Sequence, residues 1–195
     1  MKKVMLGLLV AGLCAATTIT PYTDEGEWNT AVGAAGAFYQ YTETFDDAVF
    51  EPWLTITSDQ PGGIVNWQWR SIVDSNPVKM DTFYFSAPAV IAWCGTLNLA
   101  VPGGPGEGID ILANLVLGSG YQSAYVLPGT FSGFLGFVVE GDTFTAVQFR
   151  GAGGAGGQET YWLDDMSIAG VPEAGTYALV GAGLLLVGML RRRRK

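Results

Sequence analysis

From about residue 39 onward, apolar and polar positions alternate with a period of two in short stretches, the pattern of strands that bury one face. Val65, Trp67 and Trp69 fall on one side of such a stretch, and Asn66, Gln68 and Arg70 on the other. The pattern predicts ten strands: Tyr39–Phe45, Trp53–Thr57, Ile64–Val73, Thr82–Ser86, Val90–Leu99, Ile109–Leu117, Ser123–Leu127, Gly133–Glu140, Thr143–Arg150 and Glu159–Ile168. Turn residues separate them, among them Asp59-Gln60-Pro61-Gly62-Gly63, Asp74-Ser75-Asn76-Pro77, Pro102-Gly103-Gly104-Pro105-Gly106, Pro128-Gly129 and Gly141-Asp142. Ten short strands without a long internal helix predict an all-β fold, two antiparallel sheets packed as a sandwich. Ahead of them, Asp24 and Glu27 have capping-box spacing, and Trp28, Val32 and Ala35 share a helical face. A short amphipathic helix is expected from Glu25 to Ala37.

The two ends depart from this alternation. Met1-Lys2-Lys3 is positive, Val4 to Leu13 is apolar, and Cys14-Ala15-Ala16 supplies small residues, which reads as a signal peptide cut after Ala16. A lipoprotein signal is the rival, although Leu13 stands before Cys14 where a small residue is wanted. Ala174 to Leu190 is an apolar run of 17 residues, about 26 Å as a helix, at the lower limit for a transmembrane helix. Arg191, Arg192, Arg193, Arg194 and Lys195 follow; they act as a cytoplasmic stop and leave the preceding domain outside. The expected division is a signal peptide over 1–16, a helical lead-in over 17–38, a sandwich over 39–170 and a tail over 171–195.

Val171-Pro172-Glu173-Ala174-Gly175-Thr176 precedes the apolar run, and the order of motif, short Gly-rich helix and Arg cluster resembles a PEP-CTERM sorting signal. Family members typically show Val-Pro-Glu-Pro; Ala174 takes the place of the second Pro here. The resemblance implies recognition at Val171, Pro172 and Glu173 by an exosortase, a membrane-embedded thiol protease or transpeptidase, in exopolysaccharide-producing Gram-negative bacteria. A permanent C-terminal anchor without processing is the alternative. A second resemblance, to PEP-CTERM ectodomains, rests on Glu43-Thr44-Phe45-Asp46, Gly133-Phe134-Leu135-Gly136-Phe137, Phe144-Thr145-Ala146-Val147-Gln148-Phe149 and Tyr161-Trp162-Leu163-Asp164-Asp165. It implies a jelly-roll-like sandwich and brings no assigned activity.

Charge narrows the chemistry. Between Thr17 and Gly170 stand 17 acidic residues and three basic ones, Arg70, Lys79 and Arg150, a net charge of -14, which repels phosphate backbones and argues against a nucleic-acid partner. Histidine is absent, removing the usual general base and the commonest zinc ligand. Once Cys14 leaves with the signal, Cys94 is the lone thiol, and its apolar surroundings suggest a buried small hydrophobe. Gly151-Ala152-Gly153-Gly154-Ala155-Gly156 matches a dinucleotide fingerprint formally, yet a strand follows instead of a helix, so it reads as a loop.

Two constellations remain. Glu43 and Asp46 near the first strand and Asp165 in the last are candidates to hold a structural calcium ion, or else are edge residues that keep strand ends solvated. Leu163 and Met166 both buried would require a bulge at Asp164-Asp165. Trp53, Trp67, Trp69, Trp93, Tyr121 and Tyr125 are the aromatics considered for stacking on sugars; Trp67 and Trp69 are expected in the core, and Tyr121 and Tyr125 at the surface. Together these features favour an exported, membrane-anchored and then processed surface or matrix protein, non-catalytic, with exopolysaccharide as its ligand. A secreted polysaccharide hydrolase and a purely structural matrix protein stay open.

Overall fold

The computed structural model describes residues 16–47, 49–75, 78–100, 106–118, 120–153 and 157–172. In chain order the elements are β1 (Thr18–Tyr22), α1 (Glu25–Ala34), β2 (Tyr39–Glu43), β3 (Leu54–Ser58), β4 (Gly63–Val65), β5 (Gln68–Ser75) and β6 (Val78–Phe85). They continue with β7 (Val90–Asn98), β8 (Ile109–Leu115), β9 (Gly120–Leu127), β10 (Ser132–Glu140), β11 (Phe144–Gly151) and β12 (Gln158–Gly170). Every pairing is antiparallel.

One layer runs β1-β10-β7-β12, with β5 and β2 following one another along the far edge of β12. The other runs β3-β6-β11-β8-β9. Among the described residues, strand pairing joins the layers where the β5–β6 hairpin closes, Asp74 opposite Lys79 and Ser75 opposite Val78, and where Phe144 meets Val90. Between them lies an aromatic core: Trp93 packs on Phe149 at 5.6 Å, Phe137 on Phe144 at 5.3 Å and Phe149 on Tyr161 at 5.2 Å between ring centroids. These separations are those of edge-on and offset ring contacts, which add to the burial of the rings themselves.

The helix covers the outer face of the first layer. Asp24 caps it, its carboxylate accepting from the Glu27 amide at 2.9 Å, and Glu25 and Glu27 complement the positive end of the helix dipole. Trp28 and Val32 pack on Ile91, Ala92, Cys94, Val138 and Ala169. Gly136 permits this contact, because a Cβ there would lie 2.5 Å from the Trp28 ring. The helix ends at Ala34 instead of reaching Ala37, since Gly36 turns the chain with φ +79.

Two sequence expectations change and a third is met. Residues 17–38, read as a helical lead-in, also contain β1, which pairs with β10 from Thr18 opposite Glu140 to Tyr22 opposite Gly136. Pro21 disguised it, being tolerated because β1 ends its layer. The predicted strand Ile64–Val73 is a hairpin: Asn66 and Trp67 take positive φ values of 52 and 65 between β4 and β5, the geometry of a two-residue turn that matches strand twist. Trp67 therefore leaves the face of Trp69 and stands 65% exposed, while Trp69 enters the core. The bulge at Asp164-Asp165 is present, with a register shift between Asp164 and Ser167 and Asp165 at φ 47. Leu163 and Met166 are both buried.

No helix among the described residues is long and apolar enough to cross a membrane. The signal segment 1–15, Glu173, the apolar run and Arg191 to Arg194 lie outside the described residues.

Candidate functional site

The second layer has one face in the core and one in solvent, and its alternation selects what each face carries. Phe83 and Phe85 of β6, Phe149 of β11 and Ile111, Ala113 and Leu115 of β8 point inward. Their neighbours in sequence therefore point outward. Register then assembles the outer face: Tyr84 stands opposite Ala146, Thr82 opposite Gln148, and Arg150 between Met80 and Asp110. On the β8–β9 side, Asn114 faces Tyr121 and Leu112 faces Ser123.

Tyr84 and Tyr121 reach toward one another over this surface although two strands separate them. They are 43% and 37% exposed, and the Tyr84 phenol and Thr82 hydroxyl stand close enough to act electrostatically on the Tyr121 phenol. Partial burial first, and then the Tyr84 phenol, push the Tyr121 pKa up, so the Tyr121 ring stays neutral at physiological pH. The small side chain of Ala146 leaves room for this approach.

Beside the tyrosines a polar network fixes the remaining groups. Arg150 donates through Nε and Nη2 to Oδ2 of Asp110 at 3.1 and 2.7 Å, and Ser123 donates to Oδ1 of the same carboxylate at 2.5 Å. Gln148 donates to Thr82 at 3.2 Å and Asn114 to Thr145 at 3.3 Å. Arg150 is half-exposed while Asp110 is nearly covered, so the buried carboxylate holds the guanidinium at the surface with donors to spare. Flat rings flanked by an oriented guanidinium, an amide and hydroxyls can stack on pyranose C–H faces and hydrogen-bond the ring hydroxyls.

Of the residues picked from sequence, Tyr121 belongs to this surface. Tyr125 does not: opposite Ile111, it packs against the aromatic core. A shift of register between Ile111 and Leu112 turns β9 between the two tyrosines. Tyr84 and Arg150 were missed. Their signals were the alternation Phe83-Tyr84-Phe85, which puts Tyr84 outside, and the rarity of a base in so acidic a domain.

The acidic candidates come near one another without forming a cation cage. Glu43 is buried, its two oxygens each accepting a backbone amide, Phe45 and Glu51, at 2.8 Å. It shapes the 43–51 loop and has little left for a metal. Asp165 is exposed; its pKa is pushed up by partial desolvation and then by Asp164, Asp46 and Glu25. Among the described residues no group of three or more carboxylates or cysteines is arranged to hold a metal ion. Cys94 is buried, and burial pushes its thiol up to about 12. Val171, the first residue of the sorting motif, donates its amide to the Ala89 carbonyl at 3.1 Å.

No protein-family model matches the chain, and no curated protein matches it. Among solved structures, the fold is similar to a family 29 carbohydrate-binding module from Piromyces equi, at 6% identity with a TM-score of 0.52, covering 71% of this chain and 95% of that one. A xylan-binding domain from Paenibacillus barcinonensis is also similar, at 10% identity with a TM-score of 0.42, covering 69% and 95%. The first likeness shows a shared β-sandwich fold.

Proposed function

We propose that this chain is an exported surface or matrix protein that binds a neutral polysaccharide on the outer face of its second layer and performs no catalysis. The observation that carries this reading is the pair of half-exposed tyrosines, Tyr84 and Tyr121, beside an Arg150 held by Asp110. The sandwich it stands on, read as jelly-roll-like, is shared with the family 29 carbohydrate-binding module. The net charge of -14 between Thr17 and Gly170 favours a neutral polymer over an acidic one.

Hydrolysis finds less support. The carboxyl groups pushed up by burial are Asp81 and Glu159, both fully covered, and Asp165. Asp165 lines a cavity of about 240 Å³ with Glu25, below the roughly 300 Å³ at which ligand pockets begin.

The test is electrophoresis of the full-length chain in neutral detergent through gels containing hydroxyethyl cellulose, glucomannan, xylan or alginate. Retardation by at least one of the three neutral polymers, reduced in Tyr84→Ala and Tyr121→Ala, is the expected result. No retardation by any neutral polymer overturns the reading. For sorting, the reading rests on Val171-Pro172-Glu173, the apolar run to Leu190 and the cluster Arg191 to Arg194. Intact mass of protein recovered from the native cell envelope and medium should show loss of both the signal and the tail; a retained Arg cluster would leave a permanent anchor.

A further inference from the structure

Away from that face, the edge strand β2 borders a groove of about 560 Å³ against residues 51–53 and 86–88. Tyr41 and Trp53 line it, within a longer run of rings. Tyr39 and Tyr41 lie 4.9 Å apart, Tyr41 stacks on Trp53 at 6.1 Å with an interplanar angle of 21°, and Trp53 packs on Phe85 at 6.1 Å. Phe85 in turn contacts Phe144 of the core at 6.0 Å. Tyr41 is 42% exposed, and the Tyr39 hydroxyl donates to the Pro88 carbonyl, tying β2 to the opposite wall. Around the rings stand Gln40, Thr42, Glu51 and Ser86.

These features specify a ligand chemistry. Rings whose orientation is set from behind by the core lose little freedom when a second flat surface stacks on them, so binding loses less to ordering. The volume lies within the usual range for small-ligand sites. The groove lining carries one carboxylate and no base, which disfavours an anion, while the amide, hydroxyls and carboxylate suit the alternating donors and acceptors of vicinal hydroxyls.

We propose that this groove is a second saccharide-binding site, with Tyr41 and Trp53 as the stacking platform and Gln40 and Glu51 as its hydrogen-bonding rim. The proposal rests on the polysaccharide-binding reading and extends it: with two sites on one rigid domain, a single molecule bridges two polymer chains. Linking two sites converts weak contacts into strong retention by effective concentration.

The test separates retention from bridging. The full-length chain in neutral detergent is examined in the gels named above for retardation, and by light scattering with the retarding polymer in solution for cross-linking. The expected result is that the unsubstituted chain does both, and that Tyr41→Ala and Glu51→Ala still are retarded but scatter at least fivefold less. Thermal melts confirm that each variant is folded; Glu51 is exposed and serves if Tyr41→Ala is not. Cross-linking that survives both substitutions, or retardation of the unsubstituted chain without cross-linking, overturns the second site. Retardation that persists in Tyr84→Ala and Tyr121→Ala but falls in Tyr41→Ala sinks the first site and keeps the groove, whereas no retardation at all removes both.

Discussion

The hydroxyl of Tyr161 donates to the Asp81 carboxylate inside the core, and itself accepts from Nε1 of Trp69 at 3.2 Å. Asp81 is fully buried, and its other oxygen has no hydrogen-bond partner. Burial is the largest cause that raises its pKa, with the hydroxyls of Ser58 and Tyr161 partly offsetting it. A carboxyl group raised on folding holds its proton more tightly in the native state than in the unfolded chain. Its contribution is then fully present below the unfolded value of about 3.9 and is lost as pH rises through the folded value. Asp81→Asn, which mimics the protonated acid, is expected to match the unsubstituted chain near pH 3.5 and to melt higher at pH 7. Thermal melts across that range check it; equal differences at both pH values would show that Asp81 does not titrate in the fold.

Tyr161→Phe removes the link itself. It removes the hydroxyl that bonds both the buried Asp81 carboxylate and the Trp69 indole N–H, a loss of about 1–3 kcal/mol. Urea unfolding should show a lower midpoint with little change in slope.

Gly136→Ala tests the seat of the helix. The added methyl would lie 2.5 Å from the Trp28 ring and 2.9 Å from the Cys94 side chain, so the helix must shift or detach. Overpacking of this kind costs about 1–3 kcal/mol, and Trp28, now in the dry contact between helix and sheet, should report it as red-shifted fluorescence.

At the proposed sugar face, Tyr84→Ala and Tyr121→Ala are each expected to weaken polymer binding about tenfold, the equivalent of about 1.4 kcal/mol, with melting temperatures nearly unchanged because both side chains are half-exposed. Arg150→Lys should also weaken it, since an ammonium does not reproduce the planar fork held by Asp110. Retardation should change little between low salt and 0.5 M salt; a steep fall would point to an anionic ligand.

Cys94 offers a probe of opening. With its thiol buried and pushed up to about 12, it should resist a thiol-reactive dye at pH 8 in the native protein and react at once in denaturant. Rapid labelling without denaturant would mean that α1 lifts from the sheet.

The sequence made the strands legible because one face of each is buried in the same core. Phe144 to Arg150 keeps Phe144, Val147 and Phe149 in that core accordingly, whereas Gly133 to Glu140 is covered on both faces because α1 packs on its outer side, and the bulge at Asp164-Asp165 followed from the spacing of two buried residues. β1 was hidden because its edge position tolerates Pro21, and the β4–β5 turn because Asn66 and Trp67 lack the glycine that usually marks positive φ. The sugar face was half legible: Tyr121 and Tyr84 lie about 37 positions apart in sequence, and only the order β6-β11-β8-β9 brings them together.

The last strand also sets a clock. β12 pairs with β7 on one edge and with β5 and β2 on the other, and a hydroxyl contact joins Thr42 to Ser167 across 125 residues. Until Gln158–Gly170 has emerged, β2 has no strand to pair with and the first layer stays split. Such distant pairings close slowly. For the export proposed above this delay is an advantage, because nearly the whole domain must leave the ribosome before the first layer closes, and a translocation channel receives that layer still open.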